Sequence, residues 1–379
     1  MAKKKKQKKK VSQRFILFFT ILAFVIVIIA FGNKIGGGSL LRIAYLIGDG
    51  ITGTAEETTI RFDSNNSNRF HAISGGFAVL SVDGMHIFNL DGEERNFTPL
   101  NYHSPSLTGG KKMLVAYDRN GHEYTVMDKN GVLHNGKADA PIINITMNEN
   151  GDFSVTTAGP DCKALVSVYD SDANLLYRVH SSEQYILSAP ISENGDKLAT
   201  LGFSAATGQF AGRVTFYDLD EENPLSSRDL VDVMPISARF LKNGELIVLS
   251  ESSLLRINNN GEVTAEIPFD GLPITNASLD SRNIGAVLLD TQGRGNDSRL
   301  MVSTRRDEKL TYNFVETIYD VSCAGEYTAL LLSDRIVVYD DDGEEYHTFR
   351  LTQGIKECIM RKDGTVFAIG RNFANLLIP

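Results

Sequence analysis

Tryptophan is absent, cysteine occurs only three times, and beyond residue 56 almost no stretch has helical periodicity. Cys162, Cys323 and Cys358 are too few, and odd in number, for a disulfide framework, and none stands in a Cys-x-x-Cys or Cys/His zinc spacing. No two of the seven histidines stand at a metal-ligand spacing within one segment. Hydrogen-bonded or solvated rings are the expectation, with His71, His103 and His180 as candidates to meet in space. There is no Gly-x-Ser-x-Gly nucleophile elbow and no phosphate loop, and the glycine-rich stretch 293–299 follows no strand-to-helix pattern. No cofactor and no metal are implied.

Charge is distributed unevenly. Residues 1–14 carry Lys3, Lys4, Lys5, Lys6, Lys8, Lys9, Lys10 and Arg14 with no acid, and residues 15–33 carry no charge. Such a segment reaches roughly 28 Å as a helix, close to the ~30 Å hydrocarbon thickness of a bilayer. Phe15 to Asn33 is therefore read as a transmembrane signal anchor. A cleaved signal peptide is the rival, but no small-x-small cleavage pattern follows. Eight positive charges before the span, against Lys34 just after it, place the amino terminus in the cytoplasm and the rest outside a cell membrane crossed once. The lysine tail is suited to anionic lipid headgroups. With its eight charges removed from the formal −9, the remainder carries −17, which argues against nucleic acid as a partner. Residues 34–56, beginning with Gly36-Gly37-Gly38, read as a tether.

From residue 57 to 379 two kinds of turn alternate. One gives SENGD at 192–196, KNGE at 242–245 and CAGEY at 323–327; the other gives NLDGEE at 89–94, YDLDEEN at 217–223 and YDDDGEE at 339–345. Asp-Gly and Asn-Gly suit such reversals because glycine, and less easily Asn or Asp, takes positive φ. Each first turn leads into two near-continuously apolar strands, a sign of burial on both faces. After each second turn the pattern alternates, as in EVTAEIPF, where Val263, Ala265 and Ile267 share one face. Four strands recurring near every forty residues mark a β-propeller blade. Inner strands near residues 71, 105, 143, 187, 237, 276, 320 and 357 give eight blades, with seven as the alternative. The eighth has three strands before the chain stops, and the alternating TTIRF within 57–63 is expected to complete it and close the ring. Cys323 and Cys358 fall at similar places in successive units; buried thiols are the expectation, a bridge the alternative.

The acid-rich 340–351 is not a calcium loop: an EF-hand places glycine sixth and glutamate twelfth, whereas here Gly343 is fourth and Leu351 twelfth. The candidate binding surface comes from two long reversals between second and third strands, 204–212 and 290–298, because long loops on a rigid scaffold are where function concentrates. Gln209, Arg213, Asp290, Arg294, Asp297 and Arg299 in or beside them are the candidate binding residues. No catalytic residue is singled out.

In architecture the chain resembles the WD40 and quinoprotein-like propellers, although without tryptophan it has neither the Trp-Asp dipeptide nor the tryptophan motifs of quinone-cofactor dehydrogenases. Its layout of basic tail, span, glycine tether and tryptophan-free propeller with Tyr-Asp-x-Asp-Gly turns is similar to an uncharacterised family of clostridial and related Firmicutes membrane proteins. The expectation is a membrane-tethered, extracytoplasmic binding module for an envelope protein or glycan. The alternative is an envelope hydrolase or lyase whose site is assembled from several blades.

Overall fold

The computed structural model describes residues 58–159, 161–204, 211–231, 233–282, 284–291, 298–303, 309–351 and 354–379. They form eight four-stranded antiparallel sheets, and Glu57–Ile378 is one compact unit. The expected span at 15–33 and the tether lie outside the described residues. Among the described residues no helix is long and apolar enough to cross a membrane.

In chain order the first seven blades are Arg69–Pro99, Pro105–Lys137, Ile142–Ser181, Tyr185–Val231, Pro235–Pro268, Ile274–Phe314 and Asp320–Arg350. The eighth joins Glu357–Leu377 to Thr58–Arg61 from the start of the ring. Eight, not seven, is the blade count. The closing strand pairs Thr58 with Leu376 and Arg61 with Phe373, a slightly shorter element than the 57–63 read from sequence. It fits tightly: a Cβ on Gly92, which sits at φ +84° in the neighbouring blade, would come within 2.9 Å of the Thr59 carbonyl.

Burial follows the apolar pattern. The second strands Gly76–Leu80, Leu246–Ser250 and Tyr327–Leu331 are buried at every position, whereas the outer strand Val263–Pro268 alternates. Successive residues of a second strand face opposite neighbours. Phe77 and Val79 pack on blade 8 with Ile60, Phe367 and Ile369, while Ala78 and Leu80 pack on blade 2 with Leu114 and Ala116. No blade covers both of its faces alone, which is why the unit must repeat and close.

The acid-rich turns are self-capping. Asp340 Oδ1 accepts the N–H groups of Asp342 and Glu344 at 3.0 Å each. Asn89, Asp170 and Asn258 do the same for the residues two and four positions on. The cluster at 340–345 is therefore a turn whose leading carboxylate is engaged by its own backbone.

The ring has two ends. One, the turn end, carries the first-to-second and third-to-outer turns. The other, the crossover end, carries the connections between blades and the second-to-third reversals, including the two long ones. The interiors of those two loops lie outside the described residues.

Candidate functional site

Successive inner strands lie side by side around the axis and are stitched together by short polar side chains. Between blades 3 and 4, Asn144, Thr146 and Asn148 donate to the carbonyls of Leu187, Ala189 and Ser192 at 3.3, 2.8 and 2.8 Å. Between later blades the Ser278 hydroxyl accepts Cys323 N–H and the Ser322 hydroxyl accepts Met360 N–H, both at 2.9 Å. These matching contacts align Cys323 with Met360, not with Cys358. The turn after Ala324 has two residues and the turn after Met360 has five, so the two units differ in length between inner and second strand and their cysteines do not correspond. All three cysteines are free, with Cys323 and Cys358 buried.

At the turn end, ion pairs cross the axis. Glu149 of blade 3 meets Arg239 of blade 5 at 2.6 Å and Lys362 of blade 8 at 2.7 Å. These blades are not neighbours, so the contacts span the channel instead of following its wall. Burial alone raises the Glu149 pKa, but the two cations outweigh it and hold the carboxyl below its usual value. His71 sits beside them, 3.2 Å from the Gly110 carbonyl, and burial keeps its pKa low and the ring neutral.

At the crossover end two carboxylates from adjacent blades approach one another. Asp320 accepts from Asn276 Nδ2 at 2.5 Å, from Cys358 N–H at 2.8 Å and from its neighbour Val321 N–H at 3.0 Å. Burial still raises its pKa. Glu357 is pushed up to about 7, first by burial and then by the charge of Asp320, with Arg69 opposing.

Between these groups the inner strands of blades 2 to 6 border a cavity of about 340 Å³. Outside it, the crossover end carries exposed apolar side chains: Val82, Tyr185, Val231, Ile236, Val315 and Tyr319. Val231 is 73% and Val315 91% exposed, and all but Val82 fall on blades 4 to 7 or their connections. The remaining large exposed hydrophobics among the described residues lie on outer strands. Tyr185 stacks on Phe203 with ring centroids 5.4 Å apart, and Lys163 Nζ lies 5.2 Å over the Tyr185 ring.

Of the residues singled out from sequence, Gln209, Arg294 and Asp297 lie outside the described residues. Arg213 is held by Asp229 at 2.5 Å, its cross-strand partner, and faces Glu183 at 3.7 Å. Arg299 donates to Asn313 at 3.0 Å and lies 3.9 Å from Asp270, and the Asp290 N–H donates to Pro273 at 3.0 Å. Arg213 and Arg299 belong to blades 4 and 6, with blade 5 between, and share no partner among the described residues. The three histidines do not form one site: His71 is in the channel, His103 is exposed on the crossing from blade 1 to blade 2, and His180 is on the outer strand of blade 3.

Sequence reading missed Glu149, Arg239, Lys362, Asp320, Glu357 and the apolar rim. The rim alone had a local signal, since Val231, Val315 and Tyr319 are bulky apolar residues at strand ends, where polar ones are usual.

Solved structures similar to this chain share the propeller fold. The C-terminal WD40 domain of Sif2 superposes with a TM-score of 0.60 at 13% identity, over 87% of this chain and 100% of that one. BamB from Moraxella catarrhalis gives 0.53 at 11% identity, over 85% and 98%. A eukaryotic initiation factor gives 0.54 at 13% identity, over 83% and 90%. At such identities the likeness is one of fold. No curated protein matches the sequence. A family model described as a family of unknown function, DUF5711, matches residues 51–373, almost the whole ring, and the chain belongs to that family.

Proposed function

We propose that this propeller is a binding module, tethered outside the cell membrane by the span at 15–33, that holds an envelope protein or glycan on its crossover end. The observation that carries the reading is the apolar rim. Tyr185, Val231, Ile236, Val315 and Tyr319 are exposed together at the end from which both long loops rise. Exposed apolar groups gathered at one end of a scaffold are suited to a partner surface, whereas scattered ones are ordinary. The turn end is instead ringed by self-capped acidic turns.

The test is capture of partners by crosslinking on cells, followed by purification of the full chain. Val231→Glu, Ile236→Glu and Val315→Glu combined are expected to abolish recovery of the wild-type partner. The melting temperature should stay nearly unchanged, since substitutions at exposed positions shift stability by only about 0.5 kcal/mol each. Unchanged recovery would reject the crossover end as the working face.

The Asp320–Glu357 pair favours a second reading, an envelope hydrolase, because a carboxyl that holds its proton near neutrality beside a second carboxylate is equipped for acid–base work. On that reading Glu357→Gln keeps its partners and loses turnover of an envelope substrate.

A further inference from the structure

We infer that the channel cavity is a binding site for a neutral, hydroxyl-rich ring, a saccharide unit. This inference does not rest on the crossover-end reading. The cavity of about 340 Å³ falls within the range of roughly 300–1,000 Å³ typical of small-ligand sites. Two of its wall groups are buried polar atoms without a partner. Ser281 is 1% exposed and its hydroxyl makes no hydrogen bond; Glu193 Oε1 is likewise buried and unpartnered. Native proteins leave few such atoms unsatisfied, and these two belong to residues of blades 4 and 6 that line the same cavity, where ligand atoms could satisfy them.

The polarity of the wall selects the ligand. Glu193 only accepts. Arg239 only donates, and its bond to Glu149 leaves the guanidinium with further N–H donors. Ser237 and Ser281 do either. An anion placed here opposes Glu193 and Glu149, and a cation opposes Arg239. A hydroxyl group donates to the carboxylate and accepts from the guanidinium at once, with no net charge to accommodate. Pro190 and Leu279 add apolar wall of the kind that packs on the C–H face of a sugar ring.

The experiment uses the full chain in a detergent without a sugar headgroup, with saturation-transfer NMR reading binding. The probes are the disaccharides of N-acetylglucosamine and of glucose, with glucuronate and glucosamine as charged controls. A neutral disaccharide is expected to receive saturation while both charged sugars receive little. Ser237→Leu, which fills the cavity from its wall, should weaken binding about tenfold or more, as loss of shape and hydrogen bonding together implies. Glu193→Gln, at a half-exposed turn position, should weaken it while leaving the melting temperature unchanged, and it decides the matter if the leucine variant does not fold. Both variants should keep the partners captured on cells, which separates this site from the crossover end. No saturation of either neutral disaccharide would leave the cavity to water and overturn the inference. So would binding unaltered in the variants, or a preference for a charged sugar.

Discussion

Deleting residues 58–62 from the full chain is expected to abolish cooperative unfolding of the ring and send the protein into aggregates. The closing strand covers the edge of Phe373–Leu377 through four paired positions, and Phe62 N–H extends the contact to the Asn372 carbonyl at 3.1 Å. Ile60 is fully buried between blades 8 and 1, against Phe77, Phe88, Phe367 and Leu376. Its loss exposes an unpaired strand edge and two apolar blade faces together, the combination that promotes edge-to-edge association. Ile60→Ala, which keeps the strand and leaves a cavity, should cost about 2–5 kcal/mol and preserve a single transition. Deleting Lys3 to Lys10 should leave the ring's transition untouched. Denaturant unfolding followed by circular dichroism, with sedimentation for aggregation, separates the three. A 58–62 deletion unfolding at the wild-type midpoint would mean that the ring closes by other contacts.

Asp320→Ala is expected to destabilise the ring by about 3–5 kcal/mol. It removes the buried acceptor shared by Asn276, Val321 and Cys358, and so strips hydrogen bonds from the inner strands of three blades at once. Its neighbour acts in the opposite direction. Glu357 titrates near 7 in the folded ring, above the ordinary 4.5, so the native state holds that proton more tightly than the unfolded chain does. Its contribution to stability is fully present below pH 4.5 and is lost as pH rises through about 7. Allowing for partial exposure, the loss is on the order of 2 kcal/mol. Glu357→Gln should therefore be more stable than wild type at pH 8 and equal to it at pH 4, and urea midpoints at the two pH values check this. A variant less stable than wild type at pH 8 would show that the carboxylate is favourably paired, with Arg69 outweighing Asp320.

The blades were legible in sequence because their determinants are local. Asn89, Asp170, Asn258 and Asp340 lead turns that cap themselves within five residues. The alternation of Thr59, Ile60 and Arg61 marks an outer strand wherever it sits in the chain. The channel was not legible. Glu149 and Glu193 occupy the same position in NENGD and SENGD, yet one is clamped by cations from blades 5 and 8 while the other has a buried, unpartnered oxygen. That difference arises only when the ring closes and brings residues 90 positions apart into contact. Arg213 stood out as a cation in an acidic domain, but strand register sets Asp229 directly opposite it, and pairing across a two-strand ladder cannot be seen in a linear charge count. Arg299 is held in the same way by Asn313.

The most direct test of the ring's role is site-specific photo-crosslinking in intact cells, with the reactive group placed in turn at Val231 and Val315 on the crossover end and at Lys129 and Asp172 on the turn end. Crosslinks to a defined envelope component from the first two positions, and none from the second two, are the expected result. Crosslinks confined to the turn end, or only to cytoplasmic proteins, would contradict an extracytoplasmic binding module that works from its crossover end.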